Sequence, residues 1–488
     1  MTKKILFLSR TPSMFSYYKS TIEELCLRGN MVEVCFLNYD DTSPNGSRYY
    51  FDINAENKEI ILENAKLNLE KVVLISESTN LKFGMYSTRN DIWTRLIGII
   101  RELITRSSYI RRNENSVYSI RQKRYLENYL SRYFKFISSL DYILKSKSFF
   151  RTLQFIHSFM PKSNEINKFL RIKKPDVLVV TPANLSSRWK RFSSETDYLY
   201  SAKKLKIPTV VPVLSWDNLT TKGFMHHSPT ITLAWNKIHL QEAVKIHDIK
   251  ESQVIVTGSP FFDKWFDEST KESDKKKFFI EAKLDFNKPF VLYLGSSKTV
   301  SQEESKIVLN LFEKLKNNNI QLLIRPHGHN VSQFDDVKEI IPLYPSEGGL
   351  PDNDISKQVF FNSMKYSIAT VGINNSAMID SLINYTPCIT IIDENHHKSQ
   401  LNVPHFQHLK NYNLLYEVKD VSSCTDFIKQ LIEKGESDNK KELNRQFIKE
   451  FIRPYGIKKS AGYISARSIE LTGEGFTVDK IKQQITNF

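Results

Sequence analysis

Ile5-Leu6-Phe7-Leu8-Ser9, the span from Phe15 to Leu27, the turn Arg28-Gly29-Asn30 and the run from Val32 to Leu37 follow one another at the start of the chain. They read as strand, helix, turn and strand. Two strands joined through a helix lie parallel, because an antiparallel pair needs only a short turn. Val72-Val73-Leu74-Ile75 reads as a further strand. Strand signals return at Asp176-Val177-Leu178-Val179-Val180 and Pro208-Thr209-Val210-Val211-Pro212-Val213, then at Ile231 to Ala234 and Val254 to Thr257. A doubly wound parallel sheet follows from that order.

A second such series begins at Phe290-Val291-Leu292-Tyr293-Leu294. It continues with a helix from Glu303 to Lys316 and a strand from Gln321 to Ile324. A strand near Tyr366 to Thr370, a helix from Ser376 to Ile383 and a strand from Cys388 to Ile392 complete it. The expected class is therefore α/β, with two Rossmann-like domains. The expected division is 1–266 for the first domain, 267–284 for a linker, 285–440 for the second domain and 441–488 for a helical tail crossing back to the first. At 488 residues the chain exceeds what one hydrophobic core supports, which agrees with that division.

Within the first domain, residues 86–174 read as a helical insertion in which Arg and Lys alternate with aromatic residues. Tyr109-Ile110-Arg111-Arg112 and Arg132-Tyr133-Phe134-Lys135 are examples. The formal charge of +15 points to an anionic partner: nucleic acid, a lipid surface or a phosphate-bearing substrate. No nucleic-acid module is recognisable, so a nucleic-acid partner is not expected. The four cysteines are scattered in apolar runs and fit reduced core thiols. No apolar run reaches the length of a membrane span, so a cytoplasmic location is expected, peripheral at the inner membrane face.

Three polar loops at strand ends of the second domain are candidates for holding an anionic donor. Gly295-Ser296-Ser297-Lys298 follows one strand. Arg325-Pro326-His327 follows another, where Arg325 could fork onto phosphate and His327 donate to a diphosphate oxygen. Ala369 to Asp380 is a strand, a loop through Gly372 and a helix start. Asn374, Asn375 and Ser376 lie where backbone N–H groups can meet phosphate, and Asp380 lies where a carboxylate can meet a ribose. The Gly-x-x-x-x-Gly-Lys phosphate loop and the dinucleotide glycine fingerprint are both missing.

In the first domain, Ser215-Trp216-Asp217-Asn218 follows a strand, with Trp216 and Asn218 expected on the acceptor side. Direct displacement needs a group to take the acceptor proton, and Asp217 and Asp197 compete for that role. Asp352-Asn353-Asp354 is read as turn chemistry, and His396, His397, His405 and His408 lack the company of a metal site. No metal and no cofactor are expected.

On these residues the chain resembles bacterial GT-B glycosyltransferases of surface-polysaccharide assembly. The matching stretches include Leu27 to Val34, Ser215 to Gly223, Val256-Thr257-Gly258-Ser259-Pro260, Val371 to Asp380 and His405-Phe406-Gln407-His408-Leu409. The Arg-Pro-His element is similar to the His-Pro element of polysialyltransferases and polyol-phosphate polymerases, whose histidine contacts donor phosphate. Gly328 stands where a proline is usual there, Asp380 where a Glu is usual, and Asn375 where Thr or Ser is common. The resemblance implies a metal-independent transferase with a donor site on 285–440 and an acceptor site on 1–266. Its donor would be an activated nucleotide sugar, and its acceptor a glycan or lipid-linked glycan. A transferase of polyol phosphate or phosphoribosyl units is the alternative, and a non-catalytic scaffold a more distant one.

Overall fold

A computed structural model describes residues 2–10, 12–37, 47–51, 59–64, 67–73, 80–130, 137–184, 195–267, 274–328, 330–349 and 354–486. The chain divides into two compact units. The first comprises 1–114, 119–263 and 450–488, and the second 115–118 and 264–449.

In the first unit the strands are, in chain order, β1 (Lys4–Ser9), β2 (Met31–Leu37), β3 (Ser47–Phe51), β4 (Glu59–Asn64), β5 (Leu67–Val73), β6 (Leu81–Tyr86), β7 (Val177–Thr181), β8 (Thr209–Pro212), β9 (Ile231–Ala234) and β10 (Val254–Val256). Seven of them form a parallel sheet in the order β10-β9-β8-β7-β1-β2-β6. All five side chains of β7 are buried, as expected for a strand covered on both faces. The remaining three, β3, β4 and β5, pair antiparallel in a separate small sheet. The expected strand at Val72-Val73-Leu74-Ile75 is thus corrected. Val72 and Val73 end β5 in the small sheet, and Leu74 and Ile75 lie outside the described residues. A short apolar run carries no signal of which sheet it joins.

Five helices lie between β6 and β7: Thr94–Arg111, Val117–Leu130, Ile137–Leu144, Lys147–Ser158 and Asn164–Lys173. The returning tail contributes the helix Ala461–Gly473, whose Ile464, Ala466, Ile469 and Leu471 share a core with Phe7, Val179, Val210 and Leu233. A buried carboxylate, Asp263, fastens its start. Asp263 accepts from Arg453 Nε (3.1 Å) and Nη2 (2.6 Å), from the N–H groups of Ala461 (3.0 Å) and Gly462 (2.7 Å), and from Ser20 Oγ (2.9 Å). Its charge sits at the first turn of that helix, where the dipole favours an anion. Gly258 lies under the same returning segment. A Cβ there would come within 2.6 Å of the Ile452 carbonyl, and its φ of +88° is in the left-handed region.

The second unit contains β11 (Phe290–Leu294), β12 (Gln321–Arg325), β13 (Thr370–Gly372), β14 (Cys388–Ile391) and β15 (Tyr416–Val418). They form a parallel sheet in the order β12-β11-β13-β14-β15. The strand expected near Tyr366 to Thr370 begins later, at Thr370, because the helix Asp354–Lys365 runs up to the preceding turn. In this sheet the strand order reverses between β11 and β13. In the first it reverses between β1 and β7. Ligands of open α/β sheets gather at the carboxyl ends of the strands beside such a reversal.

Candidate active site

The carboxyl ends of β11 and β13 in the second unit lead into Gly295–Ser297 and Ile373–Ser376, two of the loops singled out by sequence. Side chains tie these loops together. Asn375 Nδ2 donates to the Gly295 carbonyl (2.5 Å), and its Oδ1 accepts from the Ala377 N–H (2.9 Å) at the start of the helix Ala377–Ile383. Asn374 Nδ2 donates to the Ser399 carbonyl (2.7 Å). Asn330 Nδ2 donates to the carbonyls of Ser296 and Ser301 (2.9 and 3.0 Å). Asn374 is therefore occupied in holding the loops. The rim left towards solvent consists of Ser297 and His327, both half-buried, half-buried Asn375, and exposed Lys298, Gly328 and Ser376.

Behind the rim lies a carboxylate that sequence reasoning missed. Glu304 is fully buried, and both of its oxygens accept from the Ser296 N–H at 3.2 Å. Burial pushes its carboxyl up from an ordinary 4.5 to about 7, opposed by the hydrogen bonds from Ser296 and Tyr293. Its position one residue before a helix gave no sign that the side chain turns inward under a strand end. Because the native state holds this proton more tightly than the unfolded chain, the contribution to stability is full below about pH 4.5 and is lost as pH rises through 7. Replacing Glu304 with Gln is expected to flatten the fall in thermal midpoint between pH 5 and 8. At pH 8 it should stabilise the protein by on the order of 3 kcal/mol, at about 1.4 kcal/mol per pKa unit. Parallel pH profiles of the two proteins would show that the assignment is wrong.

Two residues expected to meet the donor directly are held differently. Arg325 is buried, its guanidinium stacked 3.8 Å over the Phe360 ring and Nη2 donating to the Gly349 carbonyl (2.9 Å). Through that bond it braces the 348–349 loop. Asp380 is buried as well, and its Oδ1 accepts from Trp265 Nε1 (2.6 Å). Burial raises its carboxyl to about 6, with the charges of Lys264 and Arg325 pulling the other way. Trp265 Nε1 thus engages one oxygen of Asp380 in its buried position. Trp265 itself stacks on Phe360 (5.7 Å) and came from a segment that carried no motif.

Gly328 has a spatial reason. A Cβ there would lie 3.3 Å from the Gly349 nitrogen. Gly348, at φ +67°, would place a Cβ 2.5 Å from the Pro326 carbonyl. The 348–349 loop therefore passes directly over the Arg-Pro-His loop; Gly348 needs glycine, and at Gly328 a side chain would be tight. Of Asp352-Asn353-Asp354, the first two residues and His329 lie outside the described residues, while Asp354 begins a helix. No group of three or more His, Cys, Asp or Glu that could hold a metal ion occurs among the described residues.

In the first unit, the two candidate bases have different surroundings. Asp197 lies in the helix Glu195–Lys204 and is buried. Arg101 Nη1 and Nη2 donate to its two oxygens at 2.9 Å each, and Arg89 Nη1 donates to one at 3.1 Å. The same Arg101 donates through Nε to His157 Nε2 (3.0 Å). Burial, with help from the Arg101 charge, holds that imidazole down at about 2, so it stays neutral. A carboxylate clamped by two guanidiniums inside a helix bundle is poorly suited to taking a proton from a substrate. Asp217 precedes the short helix Asn218–Thr221 and keeps 17% of its side chain exposed. Ser215 Oγ (2.5 Å), Thr221 Oγ1 (2.7 Å) and Lys222 Nζ (3.1 Å) fix its orientation. Its neighbours are structural. Asn218 exchanges side-chain and backbone hydrogen bonds with Asn184 (2.9 Å each), and buried Trp216 offers its carbonyl to His239 Nε2 (3.2 Å).

The chain matches no protein-family model and none of the curated proteins. Solved structures do resemble it. A co-structure of S. aureus MnaA with UDP has a TM-score of 0.50 at 12% identity, covering 98% of each chain. A putative UDP-N-acetylglucosamine 2-epimerase from Listeria monocytogenes also has a TM-score of 0.50, at 9% identity and 98% coverage of each chain. The fold is GT-B. At these identities the likeness speaks for architecture: two Rossmann-like units, with parallel sheets of seven and five strands.

Proposed function

We propose that this GT-B protein is a metal-independent glycosyltransferase that moves a sugar from a nucleotide-type donor onto a glycan or lipid-linked glycan. One observation carries the reading. The rim of Ser297, Lys298, His327, Asn375 and Ser376 lies beside the strand reversal of the second sheet, on loops locked to one another by Asn330, Asn374, Asn375 and Glu304. Fixed donors of this kind stabilise the charge of a departing diphosphate without reorganising during the reaction. The Arg-Pro-His likeness adds that His327 would make the phosphate contact. In the first unit Asp217 would receive the acceptor proton. The UDP held by S. aureus MnaA suggests a uridine nucleotide as the donor head group. An acceptor at an anionic membrane surface would fit the basic charge of the chain.

The test is a panel of nucleotide sugars and a nucleotide-linked polyol phosphate incubated with candidate acceptors, with products read by mass. Acceptor mass rising by one sugar unit supports the reading. A rise by a phosphate-bearing unit points to the alternative transferase. Isomerisation of the nucleotide sugar with no acceptor product sets transfer aside in favour of epimerase chemistry.

His327→Ala is expected to lower kcat/KM by about tenfold or more, since a hydrogen bond to a charged group is worth about 1.5–3 kcal/mol. The thermal midpoint should not move. Wild-type kinetics in this variant would take His327 out of the site.

A further inference from the structure

The helix Lys147–Ser158 has two unlike faces. Phe150, Leu153 and His157 are buried, the first two in a small core with Ile100, Ile104 and Phe224. On the other side Lys147, Arg151, Phe155 and Phe159 recur every fourth residue, so they run as one stripe along the helix and past its end. All four are exposed. Phe155 is 65% and Phe159 70% exposed, with their rings touching at 4.7 Å between centroids. Ile156 beside them is 40% exposed. On the neighbouring helix Ile137–Leu144, Tyr142 is 88% exposed. Large apolar side chains clustered in water mark a surface that meets something.

Charge indicates what that is. From Tyr142 to Phe159 the chain carries Lys145, Lys147 and Arg151 and not one Asp or Glu. Among the described residues, Asp248 approaches from elsewhere: it pairs with Arg151 at 3.2 Å and accepts from Gln154 at 3.4 Å. Asp141, just before the segment, is held by Arg106 at 2.8 Å. A second copy of the same face would set cations against cations. An anionic lipid surface answers both features, with phosphates meeting the cations and aromatic rings entering the headgroup boundary.

We propose that the Tyr142–Phe159 face docks this protein on an anionic bilayer, with the helix Lys147–Ser158 lying in the membrane plane. Of the cations in the two basic stretches quoted from the sequence, Arg111 and Arg112 are engaged within the protein. Arg111 lies 4.5 Å over the Phe150 ring, and Arg112 pairs with Glu114 at 3.2 Å. Arg132 and Lys135 lie outside the described residues. The docking face deepens the proposal of an acceptor at a membrane surface, yet vesicle binding is read without turnover, so the two can fail separately.

The experiment is cosedimentation of the full chain with vesicles of phosphatidylglycerol and phosphatidylcholine, or of phosphatidylcholine alone. Binding is expected to the mixed vesicles only, and to be lost near 1 M salt, where the Debye length falls to about 3 Å. Lys145→Gln, Lys147→Gln and Arg151→Gln together should weaken it by at least about tenfold. Phe155→Ser with Phe159→Ser should do the same, with thermal midpoints unchanged in both variants. Equal binding to both vesicles, binding to neither, or concentration-dependent dimerisation abolished by the Phe substitutions would each overturn the proposal.

Discussion

Replacing Asp217 with Asn is expected to lower transfer by about 10²–10⁴-fold while nucleotide binding and the thermal midpoint stay at wild-type values. An amide keeps the shape of the side chain: its oxygen can still accept from Thr221, and its NH2 can donate to the Ser215 hydroxyl, which then serves as acceptor. It has no basicity with which to draw the proton from an acceptor hydroxyl as the new bond forms. The corresponding change at Asp197 should act on folding instead, because it removes the charge that compensates buried Arg89 and Arg101. Activity per folded molecule separates the two cases. If Asp217→Asn retains near-normal turnover with any donor that supports transfer, Asp217 is not the base.

The largest expected effect on stability is at Asp263. Asp263→Ala should destabilise the first unit by about 3–5 kcal/mol, the range for breaking a buried ion pair by removing one partner. The buried guanidinium of Arg453 would lose its counter-charge, and the first turn of the helix Ala461–Gly473 would lose the acceptor for two N–H groups. Asp263→Asn should be milder, since an amide oxygen can still accept from Ala461 or Gly462. The measurement is the shift of the urea midpoint for each variant. A shift below about 1 kcal/mol for the alanine variant would mean that Asp263 contributes little to holding the tail.

Much of the architecture was legible because both sheets are parallel and buried. Runs such as Val177-Leu178-Val179-Val180 and Phe290-Val291-Leu292-Tyr293-Leu294 are apolar throughout and alternate with helical stretches, which leaves few alternatives. The small antiparallel sheet was not legible, because Leu67–Val73 alone says nothing of its partner. In the candidate site the loops were legible, but the neighbours that hold their side chains were not. Asn374, Asn218, Arg325 and Asp380 carry the right chemistry at the right strand ends. Whether such a group faces a ligand or braces a neighbour depends on residues far away in sequence: Ser399, Asn184, Gly349 and Trp265. Glu304 shows the converse, a carboxylate with no motif around it that holds Ser296 through two contacts. Gly328 reads as a departure in the sequence and as a close approach to Gly349 in the structure.

The central claim is that the rim of the second sheet receives a nucleotide-linked donor, and ligand-induced thermal stabilisation tests it most directly. Uridine, guanosine, cytidine, adenosine and thymidine mono- and diphosphates would be compared with the matching nucleotide sugars and with phosphoribosyl diphosphate. A ligand that binds only the folded state at about 100 times its Kd stabilises by roughly 2.7 kcal/mol, which moves the midpoint by several degrees. Such a rise is expected with one nucleoside diphosphate and its sugar conjugate, a smaller one with the monophosphate, and a weakened response in His327→Ala. No rise with any of these nucleotides, or a rise unchanged in His327→Ala and in Lys298→Ala, would contradict the claim.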